Sequence, residues 1–203
     1  MMNIPPSHLT EQMSTYVDCM REARMRFERA EDLSIRCLKR GEVNELDVEF
    51  ISLQLRKVIE LIALASIAAV KKEYEIIREK FSNDWNARLI FRDIERINPN
   101  FFPIPFEISG VDEMKAPTYR CMNKEESLDL YADVSTHLHS RNRYAARLNY
   151  GEILGQFSKR MNLLKNLLRS FEAHTIPAEY LYFVIMHFQE DTPVQIALAG
   201  YVE

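Results

Sequence analysis

The sequence predicts a mainly α protein, a helical bundle of about five helices around a buried central helix, followed by a C-terminal β-hairpin. Three features carry this expectation. In the run Leu53 to Val70, only Glu60 and Ser66 are polar beyond Val58, so a helix there is hydrophobic on nearly every side and belongs inside a bundle. Five glycines in 203 residues favour long helices over a turn-rich β fold. Beyond Pro177 the pattern turns continuous or period-two apolar, in Tyr180 to Phe188 and Val194 to Val202, with the polar turn Gln189 to Pro193 between them. Its aromatic and β-branched content reads as a hairpin.

The first helix is expected from about Thr10, a plausible cap, to Arg40, with Gly41 as its stop. Met13, Tyr16, Met20, Ala23, Phe27, Ala30, Ser34 and Cys37 fall at three-four spacing and form its inward seam. Asn44 with Asp47 three residues on resembles a capping box and opens the central helix, which is expected to run past Lys71 and Lys72 to about Phe81. Ser82, Asn83 and Asp84 offer a new cap for a helix through Trp85, Leu89, Ile90, Ile94 and Ile97, which Asn98-Pro99 ends. Residues 98–121 hold four prolines among Phe101, Phe102, Ile104, Phe106 and Ile108, a packed loop with room for an edge strand near Phe106 to Ile108. A short helix follows from about Asn123 to Leu138. The last spans Glu152 to about Ala173, with Leu154, Phe157, Met161, Leu164, Leu168 and Phe171 inward and Lys159, Asn162, Asn166 and Arg169 outward. Residues 1–176 thus form the bundle, and residues 177–203 a hairpin packed on it or on a second chain, since an isolated hairpin is marginal.

The net charge of −4 excludes a general affinity for nucleic acid or anionic membrane. Its distribution is uneven. Seven basic residues and one acidic residue between His139 and Arg169 give that segment +6 and leave −10 elsewhere. Such a split marks either an anion-facing or RNA-facing surface or a basic helix against acidic neighbours. Cys19, Cys37 and Cys121 are odd in number and unpaired in spacing, so reduced thiols in a cytoplasmic protein are expected. Met1 to Thr10 shows no secretory h-region, and no apolar run reaches the ~18 residues of a membrane span. No Gly-rich phosphate loop, GxSxG or HExxH occurs.

Three groups of residues could carry chemistry. Glu60 with Arg56 one turn before it is an ion pair on the central helix, and the ordinary expectation is a helix edge at which Glu60 reaches water. Asp129, Asp133 and His137 share the stripe opposite the apolar arc Leu128, Leu130, Tyr131, Val134 and Leu138; further ligands would be needed, so neither a metal site nor a cofactor is expected. The densest polar cluster runs from His137 through His139, Arg141, Asn142 and Arg143 to Tyr144, and Arg147 and Lys159 extend it. Imidazole, guanidinium and a stacking ring together suit RNA or a phosphorylated ligand, and equally a basic loop after a helix C-terminus.

The Leu55 to Ile62 segment on a central helix, with a His/Arg/Asn cluster ahead of a last long helix, resembles the HEPN superfamily of helical-bundle proteins. That family's motif is Arg, four to six residues, then His. Here Arg169-Ser170-Phe171-Glu172-Ala173-His174 matches it. The resemblance implies a dimeric, metal-independent ribonuclease of toxin or phage-defence type. His139 or His174 would act as acid or base, and Arg141 or Arg169 would stabilise the phosphorane. The residues themselves point first to a non-catalytic interaction or regulatory module that self-associates or binds a protein partner.

Overall fold

The computed structural model describes residues 7–77, 86–109, 113–140, 144, 147–176, 180–188 and 192–200. Helix α1 (Ser7–Arg40) and helix α2 (Glu45–Ala69) form an antiparallel pair. Gly41, at φ +71, lets the chain leave α1 in the left-handed conformation, and its N–H returns to the Cys37 carbonyl at 3.0 Å. The Asn44 side chain accepts from Asp47 N and Asp47 accepts from Asn44 N, which makes the expected capping box. Thr10 lies inside α1, which begins a turn earlier than expected. Of its seam, Tyr16, Met20, Ala23, Phe27, Ala30, Ser34 and Cys37 are buried, while Met13 is half-buried.

Helix α2 is the core. Val58, Ile59, Leu61, Ile62 and Ala63 are buried, and α1, α4, α5, α6 and β4 pack around it. It stops at Ala69 instead of running to Phe81. Val70 takes a non-helical backbone, and the chain restarts as α3 (Lys71–Ile77). Residues 78–85, which hold Phe81, Ser82, Asn83, Asp84 and Trp85, lie outside the described residues. The cap of α4 (Ala87–Glu95) is Asn86, whose side chain accepts from Arg88 N and Leu89 N. Ile90, Phe91 and Ile94 face inward, while Leu89 is exposed.

The proline-rich segment packs down as expected, through Phe101, Phe102 and Phe106, and carries three short strands, β1 (Ile104–Pro105), β2 (Glu107–Ser109) and β3 (Glu113–Lys115). A second capping box, Asn123 with Glu126, opens α5 (Lys124–Thr136). Asn149 caps α6 (Tyr150–Arg169) by accepting from Glu152 N.

The main departure follows Arg169. Residues Ser170–His174 form strand β4, not a last helical turn. Phe171 is buried as expected, but from a strand, in which Phe171 and Ala173 alternate with half-buried neighbours. Strands β5 (Tyr180–Ile185) and β6 (Gln195–Gly200) make the C-terminal hairpin. The hairpin is continuous with the bundle: the antiparallel sheet runs β1-β4-β5-β6, so β5 pairs with β4, and β4 with β1 from the proline-rich loop. Helix α1 holds it from below. Arg24 donates to the carbonyls of Met186 and His187, each at 3.1 Å, and to that of Thr192. Tyr16 meets the Tyr182 ring at 5.2 Å, and Phe27 meets Phe188 at 5.3 Å. Among the described residues no helix is long and apolar enough to cross a membrane.

Candidate functional site

The polar groups singled out in the sequence are spread over the molecule. Arg141, Asn142 and Arg143 lie outside the described residues. Tyr144 is 98% exposed, and Arg147 and Lys159 are exposed as well. His139 lines a small cavity with Glu45, Glu49, Leu148 and Tyr150, beside the first residue of α6. Arg169 is the last residue of that helix, about 28 Å away at the usual helical rise. His174 closes β4, so five extended residues put its backbone roughly 16 Å from that of Arg169. The His174 Nε2 lies 3.3 Å from Glu172, within its own strand. Neither His139 nor His174 therefore shares a cleft with Arg169.

The acidic stripe of α5 is dispersed too. Asp133 pairs with Arg160 at 2.8 Å, while the His137 ring sits edge-on to Phe157 at 5.5 Å. Among the described residues no group of three His, Cys, Asp or Glu side chains is placed to hold a metal ion.

Glu60 corrects the expectation of a solvated carboxylate. It is 4% exposed and meets Arg56 Nε and Lys57 Nζ, each at 2.9 Å, and the Tyr131 hydroxyl donates to it at 3.4 Å. The Arg56 guanidinium also lies 5.5 Å from the centre of the Tyr131 ring. Burial opposes the charge on Arg56, but the Glu60 carboxylate outweighs it and raises the Arg56 pKa. Burial, with Glu60 adding to it, raises that of Tyr131. A buried carboxylate met by two cations and a phenol joins α2 to α5.

Two surfaces remain that could meet a partner. The first lies on the N-terminal half of α2. Leu46, Phe50 and Leu53, at i, i+4 and i+7, line a groove of about 410 Å³ with Glu49, Leu138 and Ser140. Leu46 is 73% exposed, and Phe50 and Leu53 are also exposed, so the stripe is apolar and uncovered. Glu45 and Glu49 flank one end. Lys57 stands one turn past Leu53 at the other, where Arg26 of α1 donates to Gln54 at 3.1 Å.

The second surface is a cleft of about 860 Å³ at the C-terminal end of α6. The outward positions Asn162, Lys165, Asn166 and Arg169 form one wall, as their i, i+3, i+4, i+7 spacing requires. The β2-β3 hairpin, Tyr119, Ile185, His187 and Phe188 supply the rest. The Arg169 guanidinium lies 5.4 Å from the Tyr119 ring centre, and Lys165 Nζ lies 5.5 Å from that of Phe188. Burial raises the Tyr119 pKa, with Arg169 pulling the other way.

No family model, curated protein or solved structure matches this chain.

Sequence reasoning placed Asn162, Asn166 and Arg169 on the outer face of α6 but missed Tyr119, His187 and the hairpin that turn that face into a cleft. Those residues are 43 or more positions from Asn162 or lie across a strand pairing, and no local pattern brings them together. The exposed stripe was missed for a different reason. Leu46, Phe50 and Leu53 have the same helical spacing as core residues, and only the absence of a covering element among the described residues separates them.

Proposed function

We propose that this protein is a non-catalytic interaction module that self-associates through the outer face of the N-terminal half of α2. One observation carries the reading: Leu46, Phe50 and Leu53 stand uncovered in a row of three along one helix, beside Leu138. Scattered exposed leucines are ordinary, whereas a contiguous exposed row marks an interaction surface.

The charges at the two ends of the row select the partner. Glu45 and Glu49 lie at one end; at the other stand Lys57, which also meets Glu60 at 2.9 Å, and Arg26, which also meets Glu22 at 2.6 Å. A second copy laid antiparallel across the row sets acid against base at both ends and Phe50 against Leu53 in the middle. A parallel copy would set like against like. The isologous arrangement is therefore the one that both the apolar row and its flanks support.

Sedimentation equilibrium of the wild type and of Phe50→Asp tests this. The wild type should dimerise at concentrations of about 100 μM or below, and Phe50→Asp should be monomeric with an unchanged circular dichroism spectrum. A wild-type protein that stays monomeric there, or a Phe50→Asp variant that still dimerises, overturns the reading.

A further inference from the structure

We propose that the cleft at the C-terminal end of α6 holds the C-terminal end of an extended peptide from a protein partner, with its terminal carboxylate on Arg169 and its last side chain against Ile108, Ile185 and Phe188. This inference uses none of the residues of the α2 row and stands or falls independently of self-association.

The site is built outward from α6. The Asn166 side-chain N–H donates to the Arg120 carbonyl at 2.9 Å, which pins the segment that carries Tyr119 against the helix. The Tyr119 ring in turn backs the Arg169 guanidinium, at 5.4 Å from its centre. A planar fork backed on one side by an aromatic face presents parallel N–H donors to a carboxylate. The Met186 N–H donates to the Arg169 carbonyl at 3.0 Å and so brings His187 to the end of α6. His187 Nε2 is buried with no hydrogen-bond partner among the described residues, and its backbone sits at φ 42, in the left-handed region that residues with a side chain seldom occupy. A buried ring nitrogen without a partner, held beside an arginine in a cleft, suits a ligand group that completes it.

Charge selects the anion. Lys165 is matched by the Glu31 carboxylate, at 2.7 and 2.8 Å, and Glu107 stands opposite Lys115 in the register of β2 and β3. Arg169 has no carboxylate within 4.0 Å among the described residues, so its positive charge is the one left over. A carboxylate balances that charge, whereas a phosphate monoester, near −2 at neutral pH, exceeds it.

Length and lining select the rest of the ligand. From Asn162 to Arg169 the outer row of α6 runs about 10 Å at the helical rise, the length of about three residues of extended chain. Asn162 and Asn166 stand along it, and a side-chain amide offers the donor and acceptor that a peptide group needs. Ile108, which is 57% exposed, closes an apolar wall with Ile185 and Phe188. A single negative charge, a short row of peptide groups and an apolar end group are the parts of a chain terminus.

Titration calorimetry of the whole chain tests the proposal with an acetylated tetrapeptide of three alanines and a terminal leucine, and with the same peptide amidated at its C-terminus. The free acid should bind saturably below about 1 mM, and the amide at least about tenfold more weakly. N-acetyl-leucine, which keeps the carboxylate and side chain but lacks the preceding peptide groups, should also bind at least about tenfold more weakly than the tetrapeptide. Arg169→Ala, at an exposed position, should weaken binding of the acid at least about tenfold and remove the difference between acid and amide. Phe50→Asp should bind as the wild type does. Absence of binding by the free acid, equal binding of acid and amide, a preference for the acid that survives Arg169→Ala, N-acetyl-leucine binding as tightly as the tetrapeptide, or inorganic phosphate binding more tightly than the tetrapeptide would each overturn it.

Discussion

The two halves of α2 have similar amounts of apolar side chain and opposite fates. From Val58 to Val70 the helix is enclosed by α1, α4, α5, α6 and β4, and even its one carboxylate is buried and paired. From Leu46 to Leu53 it is covered on its α1 side, where Val48, Ile51, Ser52, Gln54 and Leu55 are buried, and bare on the other. The apolar outer row of the first half is as regular as a core row. Enclosure, not hydrophobicity, divides a structural segment from one that can meet a partner.

That contrast can be broken most sharply by removing volume from the enclosed half. Ile59→Ala, at a site with no exposure, should lower unfolding free energy by about 4 kcal/mol, read as a fall in the urea midpoint at constant slope. Glu60→Ala leaves Arg56 and Lys57 without their buried partner and should cost about 3 kcal/mol. A Glu60→Ala variant as stable as the wild type would make the buried ion pair dispensable and remove the clearest distinction between the two halves. Arg24→Ala should cost about 2 kcal/mol, because three carbonyls at the base of the β5-β6 hairpin lose a charged donor at once. Hydrogen exchange should quicken in β5 and β6 and not in α2.

A smaller effect comes with pH. Burial raises the Tyr182 pKa from 10.0 to about 12, and that of Tyr16, whose ring touches it, further still. The native state therefore keeps phenolic protons that the unfolded chain gives up above pH 10. The contribution is complete below about pH 10 and is lost as pH rises toward 12. Cys19, raised from 9.0 to about 11 by burial and the nearby Glu22 and Asp18, acts in the same direction from about pH 9. A urea midpoint that declines only above pH 9, less steeply in Tyr182→Phe, is the expected outcome. Tyr182→Phe should cost nothing near neutrality, since the buried hydroxyl has no hydrogen-bond partner among the described residues. The smallest change belongs to the bare half: Phe50→Asp should shift monomer stability by less than about 1 kcal/mol while abolishing self-association.

Most of the helical architecture was legible because local chemistry and tertiary packing agree there. The α1 seam, the capping box at Asn44, the helix start near Asn123, and the buried run of α2 each follow from spacing or side-chain type within a few residues. The residues after Arg169 were read wrongly because two periods fit them. Phe171 continues the three-four seam of Leu164 and Leu168, and Ser170 to His174 also alternates polar and apolar. Pairing with β5, the next strand along the chain, and with β1, far back in the sequence, decides for the strand. The Glu60 expectation failed similarly: carboxylates are usually solvated, and this one is not because Tyr131 of α5 arrives over it.

By itself the sequence determined that the chain is mainly helical, which faces of its helices are apolar, and that a hairpin follows the last helix, since glycine and periodicity act over one or two turns. Only the tertiary structure decided which apolar rows are covered, that Glu60 is buried among two cations and a phenol, and that the outer face of α6 becomes a cleft with Tyr119 and His187. Those outcomes depend on contacts between residues tens of positions apart, and no short-range preference encodes which distant surfaces meet.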